Sequence, residues 1–394
     1  MKCLLSLLLL LPGLLVHGQV ALPLTPSPAG PGQVRGAEPK DPVGWFRRAY
    51  DETNLRMPGS ASFQMKVTFH AYPGIDFAKK EESRIVTGDG TYQETWISPH
   101  DWRREVTLGS YHAVEVEADG VRRFQANSDY EPSRVSMLMR ALLDPIPRFI
   151  LEPEIGIQRV QWKLKRLKAG TLPYVRLAHR GSDNSYFGFA LADDVYDFLP
   201  NGVLFRSEAS RSGLVASWQD DEVFAGKVVA RRVAVQGEGM RSPMVTAEVS
   251  ISRLASPSPV IQQLPGKAAD VCATLRPRDR FDRSAKFIRR MGSVPRSGLN
   301  YPAGVLTVVQ AEVDREGMPR EAEVSSIRVY GQPPSREGVD AVWTMAAGLV
   351  MGIRQDRVRP AIVDGKPCES PIIALKGKGG REKSGRCVGE EFRE

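Results

Sequence analysis

The strongest constraint on the fold is a two-residue alternation. From Ala61 to Phe69, the apolar Phe63, Met65, Val67 and Phe69 alternate with Gln64, Lys66 and Thr68. In an extended strand this puts one row on a buried face and the other on a wet face. The pattern recurs at short intervals, punctuated by Gly88-Asp89-Gly90 and Asp119-Gly120, so further strands are expected over residues 82–86, 90–97, 101–107, 112–117 and 121–126. After a break they resume over 159–167, 172–178, 186–191, 203–207, 214–219, 223–224, 227–236 and 244–251. Short strands joined by tight turns pair with their neighbours, which predicts a large antiparallel meander.

Helical spacing appears where the alternation stops. Phe46, Ala49, Tyr50 and Thr53 form an apolar stripe behind Asp41 as cap and Pro42 in the first turn. Val135, Leu138, Met139 and Leu142 form a second stripe within residues 133–143, stopped by Asp144-Pro145. Val339, Val342, Ala346, Leu349 and Ile353 form a third over 335–353, with Ser335 as candidate N-cap. Val305, Thr307, Val309, Ala311 and Val313 share one face of a late strand and Leu306 and Val308 the other, so cover on the second side is expected, supplied by a helix.

Two stretches divide the chain. Residues 23–42 are rich in Pro and Gly and cannot form a core, and Ala255-Ser256-Pro257-Ser258-Pro259 marks a boundary. The expected organisation is a signal peptide over 1–18, a linker over 19–42, a sheet domain over 43–254 and a basic connector over 255–300 with room for one short helix. A small domain over 301–378 and a basic tail over 379–394 follow. Lys2 followed by a Leu-rich run and Gly18 at the cut reads as a cleavable secretory signal. A retained anchor is the rival, but the run is shorter than the ~20 residues a span needs, and Pro12 interrupts it.

Outside the cytoplasm disulfides persist, and Cys272, Cys368 and Cys387 remain after cleavage. Cys368 with Cys387 closes the shortest loop, and either pairing with Cys272 stays open. The net charge of +8 favours contact with anionic lipid or acidic protein faces over nucleic acid in such a compartment, with a solvated basic tail as the plain reading.

Chemistry-bearing patterns are missing: there is no G-x-S-x-G, no H-E-x-x-H and no phosphate-cradling G-x-x-x-x-G-K-[ST]. His70, His100, His112 and His179 are dispersed, and Asp193-Asp194 and Asp220-Asp221-Glu222 read as turn-flanking carboxylates. The expectation is therefore a protein without catalytic residues, metal or cofactor.

Two stretches carry a resemblance. The strand over 304–313, the Asp314-Arg315-Glu316-Gly317 turn, the third helix and the phrase V-R-P-A-I-V-D-G-K-P-C from Val358 to Cys368 together resemble the C-terminal domain of TonB energy transducers. The matched positions are Asp314, Gly317, Pro360, Ala361, Gly365, Lys366 and Pro367, all read as backbone-shaping residues. The resemblance implies an open strand edge at Pro371, Ile372, Ile373, Ala374 and Leu375, which would receive a short peptide of an outer-membrane receptor by strand addition.

Further upstream, F-Q-M-K-V in the first strand, W-I-S-P-H-D-W-R-R-E-V from Trp96 to Val106, the D-G turn before Phe124, N-G-V-L-F-R and G-K-V-V look like the outer-membrane lipoprotein carrier (LolA/LolB-like) superfamily over about 42–254. That likeness implies a curved antiparallel half-barrel closed by helices, so the expected class is α+β, with a small TonB-like sheet and helix following. Phe63, Phe69, Trp96, Trp102 and Phe124 read as core residues. If the half-barrel holds, they would instead line a cavity for a lipid or lipoprotein ligand. Together the resemblances imply a secreted periplasmic binding protein that docks an outer-membrane protein or receptor peptide. The alternative is a membrane-anchored TonB-type energy transducer.

Overall fold

The structure, a computed structural model, describes residues 39–74, 85–118, 120–128, 130–146, 162–170, 172–179, 194–209, 213–240, 242–255, 286–289, 305–329, 335–355, 357–363 and 365–378. The expected signal peptide, most of the Pro-rich linker, the strand over 186–191 and the basic tail lie outside them.

Helix α1 (Pro42–Thr53) starts where Asp41 Oδ1 accepts the Gly44 N–H at 2.8 Å, and it buries Trp45, Phe46 and Ala49. A meander follows: β1 (Phe63–Ala71), β2 (Gly88–Ser98), β3 (Asp101–Leu108), β4 (Tyr111–Ala118) and β5 (Val121–Ala126). Helix α2 (Ser133–Leu143) then leads to a second meander: β6 (Trp162–Ala169), β7 (Leu172–His179), β8 (Val195–Phe198), β9 (Leu204–Ala209), β10 (Leu214–Phe224), β11 (Lys227–Gly237) and β12 (Pro243–Arg253).

The two meanders make one twelve-stranded antiparallel sheet, ordered β5-β4-β3-β2-β1-β12-β11-β10-β9-β8-β7-β6. They are joined at its centre, where β1 pairs with β12 from Phe63↔Arg253 to Ala71↔Val245. The edges are β5 and β6, and they do not pair with each other, so the sheet stays open. Both edges nevertheless feed one core: Phe124 and Ala126 of β5 and Trp162 and Leu164 of β6 pack against the cluster that holds Phe46, Val135 and Leu138 of the helices. A sheet whose opposite edges feed one core curves around it. The helices are pinned in turn. Phe46 sets its ring edge-on to Trp162, Tyr196 and Phe198 at 4.9 to 5.5 Å, and Trp218 Nε1 donates to the Ala141 carbonyl of α2 at 3.1 Å.

The C-terminal part places β14 (Val305–Val313) between β15 (Pro319–Val329) and β19 (Ser370–Lys378), in the order β15-β14-β19. Helix α3 (Arg336–Gln355), with the Gly338 N–H donating to Ser335 Oγ at 3.2 Å, lays Ala346, Val350 and Ile353 on Val309, Ala311 and Val313. Short strands β13 (Lys286–Arg289), β16 (Arg357–Arg359), β17 (Ala361–Val363) and β18 (Lys366–Cys368) complete it.

Several sequence expectations are corrected. Gly88 to Gly90 was expected to turn, but it is strand, because the Phe69 ring lies over Gly90, its register partner, where a side chain would collide. Of residues 82–86 only Ile85 and Val86 are described, and they are not strand. The break expected between 219 and 223 is absent. Strand β10 runs through it on a local irregularity in which Asp220 has φ +55 and is skipped in the pairing. Strand β8 was not foreseen, because its V-Y-D-F is too short to show alternation. The connector was allowed a helix, but Lys286-Phe287-Ile288-Arg289 forms a strand on β16, as its Phe and Ile favour.

Candidate functional site

The inner face of the β1–β5 half can be read as rows across the pairing register. One row runs Phe63, Trp96, Trp102, Glu117, Arg122, and the next Met65, Glu94, Arg104, Glu115, Phe124. The five aromatics named from the sequence therefore do not form a single patch. Phe63 and Trp96 stack at 5.6 Å, Trp102 neighbours Trp96, Phe124 stands in the next row beside Glu115, and Phe69 lies at the far end of β1. All but the half-buried Phe124 are buried in the core.

A belt of charge runs through this apolar face. Glu94 is fully buried and accepts Arg56 Nε at 2.8 Å, Arg104 Nε at 3.0 Å and the Tyr92 hydroxyl at 3.0 Å, with a further bond from Arg56 Nη2. Burial alone would raise its pKa, but Arg56 and Arg104 reverse this and hold it at about 2. Beyond it Glu115 accepts Arg122 Nε at 2.7 Å, while Arg104 and Arg122 cover the Trp102 ring at 4.2 and 5.0 Å. Here burial dominates, and the Glu115 pKa is raised.

At the other end of the aromatic row Phe63 meets Phe224 edge-on at 6.4 Å. Phe224 walls a cavity of about 280 Å³, lined also by Leu55, Met57, Pro58, Gly59, Ser60, Ala61, Ala225 and Lys227. This is close to the lower end of the range for small-molecule sites. None of the five sequence-predicted aromatics lines it, and Phe63 reaches it only through Phe224.

The second feature is the edge strand. Pro371 to Leu375 lie in β19, paired with β14 from Glu312↔Pro371 to Val308↔Leu375. Among the described residues β19 has β14 as its sole strand neighbour. Of the residues matched to the TonB pattern, all upstream of it, Asp314, Gly317 and Gly365 shape turns, Pro360 precedes β17, Ala361 lies in β17, and Lys366 and Pro367 lie in β18. Buried Asp314 accepts the Glu316 and Met318 N–H groups at 3.0 and 2.8 Å and Arg320 Nε at 2.6 Å. Gly317 has φ +82, and its carbonyl accepts the Val358 N–H at 3.0 Å, which ties this turn to the segment before Pro360 and the buried Ala361. Gly365 turns β17 into β18 beside the exposed Lys366 and Pro367. Cys368 is disulfide-bonded, and both cysteines weighed as its partner lie outside the described residues.

The third feature joins the two parts. The face of β15 turned away from α3 carries Glu321, Glu323 and Ser325, all buried. Arg134 of α2 donates Nη2 to Glu323 Oε2 at 2.6 Å and Nη1 to Oε1, and its Nε to the Tyr72 carbonyl at 3.0 Å. Glu321 accepts the Ser133 N–H at 2.7 Å and the Val86 N–H at 3.1 Å. Because Pro132 at the N-cap of α2 supplies no side-chain bond, a carboxylate of the other module caps that helix. Gly237 and Gly239 let the backbone of Ser325 and Ile327 approach, where a Cβ would fall 1.8 and 2.1 Å from their carbonyl oxygens.

Sequence reasoning did not find Arg56, Glu94, Arg104, Arg134, Glu321 or Glu323. A signal existed: Glu94 and Arg104 occupy inward positions of alternating strands, between Tyr92 and Trp96 and between Trp102 and Val106. Charge at an inward position predicts a buried pair. Among the described residues no His/Cys/Asp/Glu group could hold a metal ion, and no helix is long and apolar enough to cross a membrane.

No family model matches the sequence, and no curated protein matches it. Among solved structures the chain is similar to a LolA superfamily protein from Nitrosomonas europaea, at 14% identity over 56% of this chain and 96% of that chain, with a TM-score of 0.33.

Proposed function

We propose that the protein is a non-enzymatic periplasmic carrier that holds an apolar, lipid-like ligand in its large sheet domain and docks a partner through the TonB-like C-terminal module. One observation supports the carrier reading most: a cavity lies between the 55–61 segment and the tip of the β10–β11 hairpin, and Phe224 and Phe63 connect it to the aromatic row of Trp96 and Trp102. The hydrocarbon of Leu55, Met57, Pro58 and Phe224 suits an acyl chain.

The docking reading is supported by the occupancy of the small sheet. Its β15 side is engaged by the large domain, and β19 remains as the edge that could accept an extended segment of an outer-membrane protein. The periplasmic address rests on the Leu-rich leader.

The test is solvent extraction of the purified protein with mass spectrometry of the extract, alongside titration with a fluorescent acyl-chain probe. Saturable probe binding that is lost in Ala61→Trp, which fills the cavity, is the expected result. No extracted lipid together with no probe response would refute the carrier reading.

A further inference from the structure

We propose that the cavity beside Phe224 selects a single-chain amphiphile with an oxyanion head group, carboxylate or phosphate, and that Lys227 is the cation that selects it. This rests on the carrier reading and names its ligand class.

The lining mixes hydrocarbon with polar groups, Ser60 among them, and carries one charge. Leu55, Met57, Pro58, Ala61 and Phe224 offer hydrocarbon, and among the described residues no Asp or Glu lines the cavity and Lys227 is its one ionisable side chain. The tip of the β10–β11 hairpin sets this up. Ala225 and Gly226, at φ +49 and +81, reverse the chain between Phe224 and Lys227, which are register partners. A ring and an ammonium therefore project from paired positions towards the same space.

Other cations nearby are already paired. Arg56, within the 55–61 segment, is bound to Glu94, and on the same hairpin Arg231 pairs with Glu222 and Arg232 with Asp220. Lys227 has no carboxylate partner among the described residues. Its Nζ donates to the Asp51 carbonyl and lies 4.0 Å from Met57 Sδ. An ammonium has three N–H donors, and a thioether is a weak acceptor. Its remaining N–H donors are open to a ligand oxyanion, which placed there completes the site while its chain covers the hydrocarbon of the wall. A lysine, as a compact point charge, accommodates either carboxylate or phosphate.

The experiment is calorimetric titration of the full chain at low salt with dodecanoate, dodecyl phosphate, neutral monododecanoylglycerol and inorganic phosphate. Both anionic amphiphiles are expected to bind about tenfold or more tightly than the neutral one. Lys227→Gln should remove that preference, and Lys227→Arg should retain it. Equal binding of charged and neutral amphiphiles by the native protein, or a preference that survives Lys227→Gln, overturns the assignment and leaves the carrier reading intact. Inorganic phosphate binding as tightly as dodecyl phosphate would also overturn it, since the cavity would then take a free oxyanion. If no amphiphile binds at all, the carrier reading itself fails.

Discussion

Arg134 of α2 and Glu323 of β15 form a two-pronged ion pair across the junction of the two modules, with side chains that are 0% and 2% exposed. Gln310 Nε2 adds a 3.2 Å bond to the same carboxylate. Both charges have left water, so the pair acts as a lock whose halves are costly when separated. Glu323→Gln should destabilise the docked module by about 3–5 kcal/mol, because it strands the Arg134 charge. Exchanging both residues for apolar ones of similar size, Arg134→Met with Glu323→Leu, should recover most of that. Urea unfolding of the single and double variants measures it, and a Glu323→Gln protein as stable as the native one would contradict the lock.

Acid should separate the buried carboxylates by sign. Glu94 titrates at 4.5 in the unfolded chain and at about 2 in the fold. Its pairs with Arg56 and Arg104 therefore stabilise fully above pH 4.5, and that contribution fades as the pH falls from 4.5 through 2. The interval is worth roughly 3 kcal/mol. Glu115 and Glu321 are raised by burial, so ionising them costs stability at neutral pH, and the cost is relieved as the pH falls through their raised values. The penalty of Glu94→Gln should accordingly be large at pH 6 and shrink by about 3 kcal/mol at pH 2. A pH-independent penalty, measured by denaturant unfolding at each pH, would show that the belt does not hold Glu94 ionised.

Gly317 should tolerate no side chain. A Cβ there would sit 1.9 Å from the Val358 carbonyl oxygen, and φ is +82. Backbone cannot yield as a flexible side chain can, so Gly317→Ala should cost at least about 1–2 kcal/mol and loosen the segment before Pro360. Hydrogen exchange at the Val358 amide, which donates to Gly317, reports it directly; unchanged protection would be the contrary result.

Much of the local structure was legible in the sequence. Asp41-Pro42 and the stripe at Phe46, Ala49 and Tyr50 placed α1, and Ser335 placed the start of α3, because caps and helical periods act within a few residues. Strand order was less legible. The central β1–β12 pairing joins Phe63 to Arg253, and nothing local to either residue encodes it. The site shows the same division. Alternation put Phe63, Trp96 and Trp102 on one inward row, but the cavity arises where the hairpin around Ala225 meets the 55–61 segment, a contact made only by the whole fold. Glu321 and Glu323 alternate with Ala322 and Val324 and look like the wet face of a strand until a second module buries them.

Docking at β19 makes a positional prediction. Along an edge strand successive N–H groups point alternately to the neighbour and outwards. Of Ile372→Pro and Ile373→Pro, one should break the pairing with β14 and unfold the small sheet, while the other should leave it folded and lose strand addition. Circular dichroism with a pull-down against outer-membrane proteins separates the two. A folded variant at either position with undiminished partner capture by the outward N–H mutant would remove β19 as the docking edge.

The central claim is that the large sheet domain carries an apolar ligand in the cavity beside Phe224. Native mass spectrometry of the full chain with dodecanoate tests it most directly. The account predicts one bound amphiphile per chain, lost in Ala61→Trp and retained in a surface control such as Val121→Thr. Absence of any bound amphiphile, or binding that Ala61→Trp leaves unchanged, would contradict it.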